Sequence, residues 1–159
     1  MLKLLKITRM LKERPKQRKH SQNLEHKLQA KCVIKFSQLY PEQRGRLIGY
    51  FAEVENQIEG GIKNSLGLVR GVSDLIYFDP SGDTIGIEMK AKTTEHDTKH
   101  LIEQCEWLLN IPTYGCFCDS FEMFFDIVEG RSKGISARVI LERLLKVKTK
   151  TVKWDEISK

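Results

Sequence analysis

Val72-Ser73-Asp74-Leu75-Ile76-Tyr77-Phe78, then Asp79-Pro80-Ser81-Gly82-Asp83, then Thr84-Ile85-Gly86-Ile87-Glu88-Met89-Lys90-Ala91 is the stretch that decides the fold. Two runs rich in β-branched and aromatic residues flank five residues of turn composition, which predicts a β-hairpin. With residues 79–83 as the loop, Phe78 pairs with Thr84, and the same register sets Asp74 opposite Glu88. Opposed residues have Cβ atoms about 4.5–5.5 Å apart, so two ionised carboxylates there repel unless a cation lies between them. Lys90, two residues beyond Glu88, projects from the same strand face. Two carboxylates and a lysine therefore converge on strands otherwise made of Val, Leu, Ile, Phe and Met.

Upstream of the hairpin, residues 1–20 carry Pro15 and a basic run (Lys16, Arg18, Lys19) with little hydrophobic period after Leu11, and read as a mobile or weakly helical arm outside the core. Ser21 is the expected N-cap of a helix with Leu24, Leu28, Cys32, Phe36 and Leu39 on one stripe, ending at Tyr40 before Pro41. Glu25 borders that stripe, and a carboxylate on the buried edge of a helix needs a reason. Leu47–Val54 reads as a strand, followed by a glycine-containing segment with a short helix near 62–66. Downstream, a polar loop leads to a helix that Asp97 or Thr98 starts and that ends before Pro112, with Leu101, Cys105, Leu108 and Leu109 on one face. Tyr114–Cys118 is a strand, and Ser120–Val128 and Ile135–Val147 are helices before a Lys-rich tail in which Trp154 is a peripheral anchor. The order α-β-β-β-α-β-α predicts an α/β fold, a central mixed sheet flanked by helices whose last strand returns parallel through a helical crossover. The expected organisation is a basic arm (1–20), one α/β domain (21–130) and a basic helix and tail (131–159).

The chain has 159 residues, 40% of them hydrophobic, enough for one core without staples. Its net charge of +6 is segregated: 11 Lys/Arg against 2 acids in residues 1–35, 7 against 16 in 36–130, and 9 against 3 in 131–159. Basic ends around an acidic centre suit a polyanion together with a divalent cation, or else are solvated surface charge. No apolar run reaches 18 residues, so no membrane partner is expected. The absence of a signal-like segment gives a cytoplasmic expectation, in a bacterium or phage-infected cell, with Cys32, Cys105, Cys116 and Cys118 as buried, reduced thiols. His96 and His100, spaced i, i+4, are polar residues at an exposed helix start or a candidate metal pair, while His20 and His26 have no evident partner. Hard oxygen ligands at Asp74 and Glu88 suit Mg²⁺, with Mn²⁺ as a substitute, better than zinc. Such an ion can polarise a phosphodiester, with Lys90 orienting water or offsetting charge and Lys92, continuing the same strand face, holding an adjacent phosphate.

Gly71-Val72-Ser73-Asp74, Gly86-Ile87-Glu88-Met89-Lys90 and Gln104-Cys105-Glu106-Trp107-Leu108 together resemble the PD-(D/E)xK nuclease signature in its virus-type replication-repair nuclease (VRR-NUC) form. The family has a Gly-x-Pro-Asp strand, a Glu-x-Lys strand and a helix bearing Gln before an aromatic residue; Ser73 stands here in place of the proline. The resemblance spans about Ser21 to Val128 and implies a restriction-endonuclease-like fold. It also implies Asp74, Glu88 and the Met89 carbonyl as metal ligands, Lys90 as the catalytic lysine, and Glu25 and Gln104 as the family's first-helix acid and site-facing glutamine. Asn56 resembles, less closely, the family's Asn-Glu pair. Arg70, Lys92, Lys16, Arg18 and Lys19 are the expected nucleic-acid contacts. Single-domain members look like four-way (Holliday) junction resolvases of phages or mobile elements acting as homodimers. The implied function is a Mg²⁺-dependent, structure-specific DNA endonuclease. Its alternatives are a flap- or end-processing DNA repair nuclease and a non-catalytic nucleic-acid-binding module.

Overall fold

The computed structural model describes residues 16–50 and 72–159, with side chains from residue 24 onward. In chain order these form α1 (Lys16–Leu39), a 3-10 turn (Pro41–Gln43), β1 (Leu47–Gly49), β2 (Leu75–Phe78), β3 (Thr84–Met89), β4 (Glu95–Asp97) and α2 (Thr98–Leu109). There follow β5 (Tyr114–Cys118), α3 (Phe121–Val128), β6 (Ile135–Ser136), α4 (Ala137–Leu144), β7 (Thr151–Lys153) and α5 (Trp154–Ile157). Among the described residues five strands make one mixed sheet in the order β1-β2-β3-β5-β6, while β4 and β7 pair separately.

The hairpin has the expected register, Leu75↔Ile87 through Phe78↔Thr84. Asp79 closes its loop: Oδ1 accepts from the Ser81 and Asp83 amides at 2.8 and 3.0 Å, and Gly82 takes φ +102°. β3 then runs parallel to β5, the chain returning through α2, as the sequence pattern requires.

Strand alternation divides the core. Ile85, Ile87 and Met89 of β3 and Cys116 and Cys118 of β5 pack with Cys32 and Phe36 of α1 and Phe124, Phe125 and Ile127 of α3. On the opposite face Phe117 packs with Leu101, Cys105 and Leu108 of α2, Ile140 and Leu144 of α4, and Trp154. Each such buried side chain contributes roughly 1.5–3 kcal/mol. Gly86 and Gly115 are ladder partners under α2; a Cβ at Gly115 would lie 2.5 Å from the Leu108 carbonyl oxygen, so the helix sits directly on the sheet. All four cysteines are buried free thiols, as expected, and burial pushes Cys32, Cys105 and Cys116 up to about 12.

Several boundaries differ from the sequence reading. α1 starts at Lys16, so Ser21 is interior rather than a cap, and Lys16, Arg18 and Lys19 lie on its first turns. β1 has ended by Tyr50, whose amide turns to the Asp74 carbonyl at 2.9 Å. β2 begins at Leu75 and β3 ends at Met89, so Lys90 to Lys92 are outside the strand. Ile135 and Ser136 pair with β5 before α4 begins, and α4 stops at Leu144. The Lys-rich tail is structured: β7 pairs with β4, and Trp154 is wholly buried rather than a peripheral anchor. The segment expected as a short helix near 62–66, and Asn56, Arg70 and Gly71, lie outside the described residues, as do residues 1–15. No helix among the described residues is long and apolar enough to cross a membrane.

Candidate active site

Because Ile87 and Met89 face α1 and α3, the intervening Glu88 faces α2. It is 2% exposed, and its Oε1 accepts from Lys90 Nζ at 2.8 Å. Lys90 is equally buried, kept on that face although it follows the last strand residue. Gln104 lies three residues after Leu101 and four before Leu108, which puts it on the sheet-facing side of α2, and its Nε2 donates to the same Glu88 Oε1. Both donors therefore use one carboxylate oxygen, and the other, Oε2, is buried without a hydrogen-bond partner.

Asp74 ends the approach to β2. Its Oδ2 accepts from the Met89 amide at 2.8 Å, tying it to the end of β3 beside Glu88. Its carbonyl accepts from the Tyr50 amide and, at 3.3 Å, from Gln29 Nε2 of α1. One turn before Gln29, Glu25 enters the same cleft, which explains a carboxylate beside an apolar stripe. The cleft, about 480 Å³, is lined by Glu25, Asp74, Glu88, Lys90, His96 and Gln104, with His26, Glu95, Asp97 and His100 also on its wall.

Burial pushes Glu88, Asp74 and Glu25 above the usual carboxylate range, against the opposing pull of Lys90. For Lys90 burial acts to lower the pKa, but Glu88, Glu25 and Asp74 together outweigh it and hold the ammonium charged. His96 is pushed down to about 3, by burial first and then by the Lys90 charge. Its Nε2 stands 3.3 Å from Glu25 Oε1, a spacing that would favour imidazolium, yet Glu25 Oε1 makes no hydrogen bond; burial prevails and the ring is neutral.

Among the described residues no group of three or more His, Cys, Asp or Glu side chains stands arranged to hold a metal ion. The donor set nevertheless fits a hard divalent cation: Glu25 Oε1, Glu88 Oε2 and Gln104 Oε1 are buried oxygens without hydrogen-bond partners, and all three residues line one cleft. Unpaired acceptors with the charge of three carboxylates against one lysine are what an oxygen-ligated Mg²⁺ or Mn²⁺ offsets.

Glu25, Asp74, Glu88, Lys90 and Gln104 are thus brought together, with the Met89 backbone between Asp74 and Glu88. Lys92 is not: it sits on a turn, exposed, with Nζ 4.0 Å from Asp119 Oδ1, because the strand has already ended. His96 and His100 are not a helical pair. His96 belongs to β4 and is nearly buried, whereas His100 in α2 is exposed beside Glu103. The sequence reading missed Thr94 and Gln29, and paired His96 with His100 instead of placing it in a strand beside Glu25. Gln29 was signalled by its i+4 spacing from Glu25, but nothing in a three-residue polar strand announces His96.

No protein-family model, curated protein or solved structure matches this chain.

Proposed function

We propose that this protein is a Mg²⁺-dependent endodeoxyribonuclease with a restriction-endonuclease-like fold of the VRR-NUC type, which resolves four-way DNA junctions as a homodimer. The observation that carries this reading is the Asp74–Glu88–Lys90–Gln104 cluster, in which two donors occupy one oxygen of Glu88 and leave the other buried and free. Asp74 and Glu88 would hold the cation together with the Met89 carbonyl. When bound, the cation supplies Lewis-acid polarisation of a phosphodiester oxygen and activation of water.

The chain's own residues do the rest. Lys90, kept protonated by three surrounding carboxylates, offsets charge developing on the phosphoryl oxygens as water attacks phosphorus and the ester P–O bond breaks. Gln104 and the Met89 amide hold the two carboxylates in place, so that little reorganisation accompanies the reaction. A retired site has no need for three buried carboxylates whose ionisation costs stability, which weighs against a purely non-catalytic module. Symmetric cutting of paired strands needs two such sites, and the described residues of one chain hold one.

The test is cleavage of a matched panel (four-way junction, flap, linear duplex, single strand) with Mg²⁺, Mn²⁺ or EDTA, and with Asp74→Ala as control. Metal-dependent, symmetric junction cutting that the substitution abolishes is the expected result. Cutting confined to flaps or ends would reassign the substrate, and tight binding without cutting under either metal would leave only a binding module.

A further inference from the structure

The cleft does not attract a polyanion by its own charge. Its wall carries the carboxylates of Glu25, Asp74, Glu88, Glu95 and Asp97, and the lysine among its described residues, Lys90, is buried and bound to Glu88. Lys92, expected to hold the neighbouring phosphate, stands by Asp119 instead. A nucleic-acid strand, with one charge per phosphate, therefore needs cations just outside the cleft, on the elements that border it.

The β4–β7 ribbon is such an element. β4 lines the cleft through Glu95, His96 and Asp97, and β7 is paired along it, Glu95↔Lys153, His96↔Val152 and Asp97↔Thr151. The chain just before β7 is fixed to the start of α2: the Thr98 amide donates to the Lys150 carbonyl at 2.9 Å, and the Thr98 hydroxyl to the Thr149 carbonyl, also at 2.9 Å. Just after β7 the Trp154 amide donates to the Thr94 carbonyl at 2.9 Å, and its indole is wholly buried against Phe117. The stretch Lys146-Val147-Lys148-Thr149-Lys150-Thr151-Val152-Lys153 is thus held at the edge of the cleft. Val147 and Val152 pack against the core that α2 and α4 build, and Lys146, Lys148 and Lys150 are left exposed.

These three lysines are also unpaired. Lys92 lies 4.0 Å from Asp119, Arg131 is tied to Asp126 and Glu129, and Lys153 lies 3.9 Å from Glu156. Among the described residues no carboxylate comes within that range of Lys146, Lys148 or Lys150. Like charges set this close repel one another, and a row of phosphates relieves them.

We infer that residues 146–150, held by the β4–β7 ribbon, form a phosphate-binding edge of the cleft that takes the DNA backbone beyond the scissile position. The inference rests on the nucleic-acid reading of the cleft, and it moves the expected strand contact from Lys92 to the C-terminal lysines.

The test is the salt dependence of binding to a labelled four-way junction, followed by anisotropy in EDTA and again in Mn²⁺ before cutting sets in. The full chain is compared with a Lys146→Gln/Lys148→Gln/Lys150→Gln variant. Each lost phosphate contact lowers the slope by about 0.9, so the triple variant should bind more weakly with a slope smaller by about 2–3. Its Mn²⁺ affinity should match wild type, because the three side chains lie outside the cleft. Lys31→Gln/Lys35→Gln, on the side of α1 that meets Phe121, is the control and should leave the slope near wild type. Lys150→Gln alone, with an expected loss of about 0.9, serves should the triple variant fail to fold. A benzophenone on Lys150→Cys adds a readout of place, since the native cysteines are all buried: it should crosslink the junction, and the same group on Lys35→Cys should not. An unchanged slope in the lysine variants overturns the proposal, as does a slope that falls equally per lysine in the control or crosslinking from position 35 alone. A wild-type chain that binds Mn²⁺ but no DNA removes the nucleic-acid reading and the proposal together, whereas one that binds DNA through these lysines and cuts none removes the nuclease reading alone.

Discussion

Lys90 is the residue on which chemistry and stability meet. It neutralises part of a cluster of three carboxylates, and its own charge is maintained by them. Lys90→Ala should reduce cleavage by about 10²–10³-fold or more, the scale set by loss of one preorganised charge-stabilising donor, while DNA affinity changes little. Equal loss of cleavage and binding, measured on the same junction, would make Lys90 only a phosphate contact. The carboxylates set a second expectation, whose sign follows from burial raising all three above their ordinary values. Their contribution to apo stability is fully present below the usual carboxylate range and is lost as pH rises through the raised values. A cation needs the ionised forms, so its stabilising effect runs the other way. At 100 times its Kd a ligand adds about 2.7 kcal/mol, and each kcal/mol is worth about 2–4 °C in a chain this size. The Mn²⁺-induced rise in melting temperature should therefore be larger at pH 8 than at pH 5.5, and an equal rise at both would locate the cation outside this cleft. Asp74, Glu88 and Lys90 were legible in the sequence because the hairpin register aims them, whereas Glu25 and Gln104 were only placed beside two helical stripes and owed their expected place at the site to the family resemblance. His96 was not legible, since its spacing from His100 mimics a helix and its true partner is 56 residues away at Val152.

Elements carry these residues to one place through close backbone approach. α2 presses on the sheet over Gly86 and Gly115, and the two positions differ in what a methyl group would strike. At Gly115 the obstacle is backbone, Leu108 O at 2.5 Å and Cα at 2.7 Å, which cannot yield without lifting the helix. At Gly86 it is Ile111 Cδ1 at 2.0 Å, the far end of a flexible side chain, with Trp107 Cζ3 next at 3.0 Å. Overpacking of this kind costs about 1–3 kcal/mol, and Gly115→Ala should lie at or above the top of that range with Gly86→Ala well below it. Because lifting α2 also withdraws Gln104 from Glu88, Gly115→Ala should lose Mn²⁺ affinity as well as melting temperature; similar behaviour of the two variants would contradict this account of the helix seat. The long helices and the hairpin were readable from periodicity and turn composition. β4, β6 and β7 span three, two and three residues, too few for any period, and exist because tertiary partners complete them.

For the whole molecule, the segregated charge and the acidic cleft make separate demands. The basic ends favour phosphate contacts, each worth a slope of about −0.9 in the logarithm of affinity against the logarithm of salt concentration. Removing residues 1–15, which leaves α1 intact and deletes five of the chain's Lys and Arg residues, should weaken junction binding and flatten that slope. An unchanged slope would make these residues bystanders. The acidic cleft makes the stronger demand. A four-way junction is resolved only if two strands are cut across its symmetry, so the proposed function calls for two copies bound together to make the two cuts. Mixing wild type with Asp74→Ala at constant total protein, under conditions where subunits exchange, then produces mixed pairs with one working site. Those pairs should leave junctions cut on one strand only, and the nicked fraction should follow the product of the two subunit fractions, reaching its maximum at equal mixture. A monomeric enzyme gives a linear loss of total cutting with no such maximum. A supercoiled cruciform plasmid separates the cases in one assay, because a single cut relaxes it and paired cuts linearise it, so relaxed circles peaking at equal mixture is the outcome that two copies acting together require.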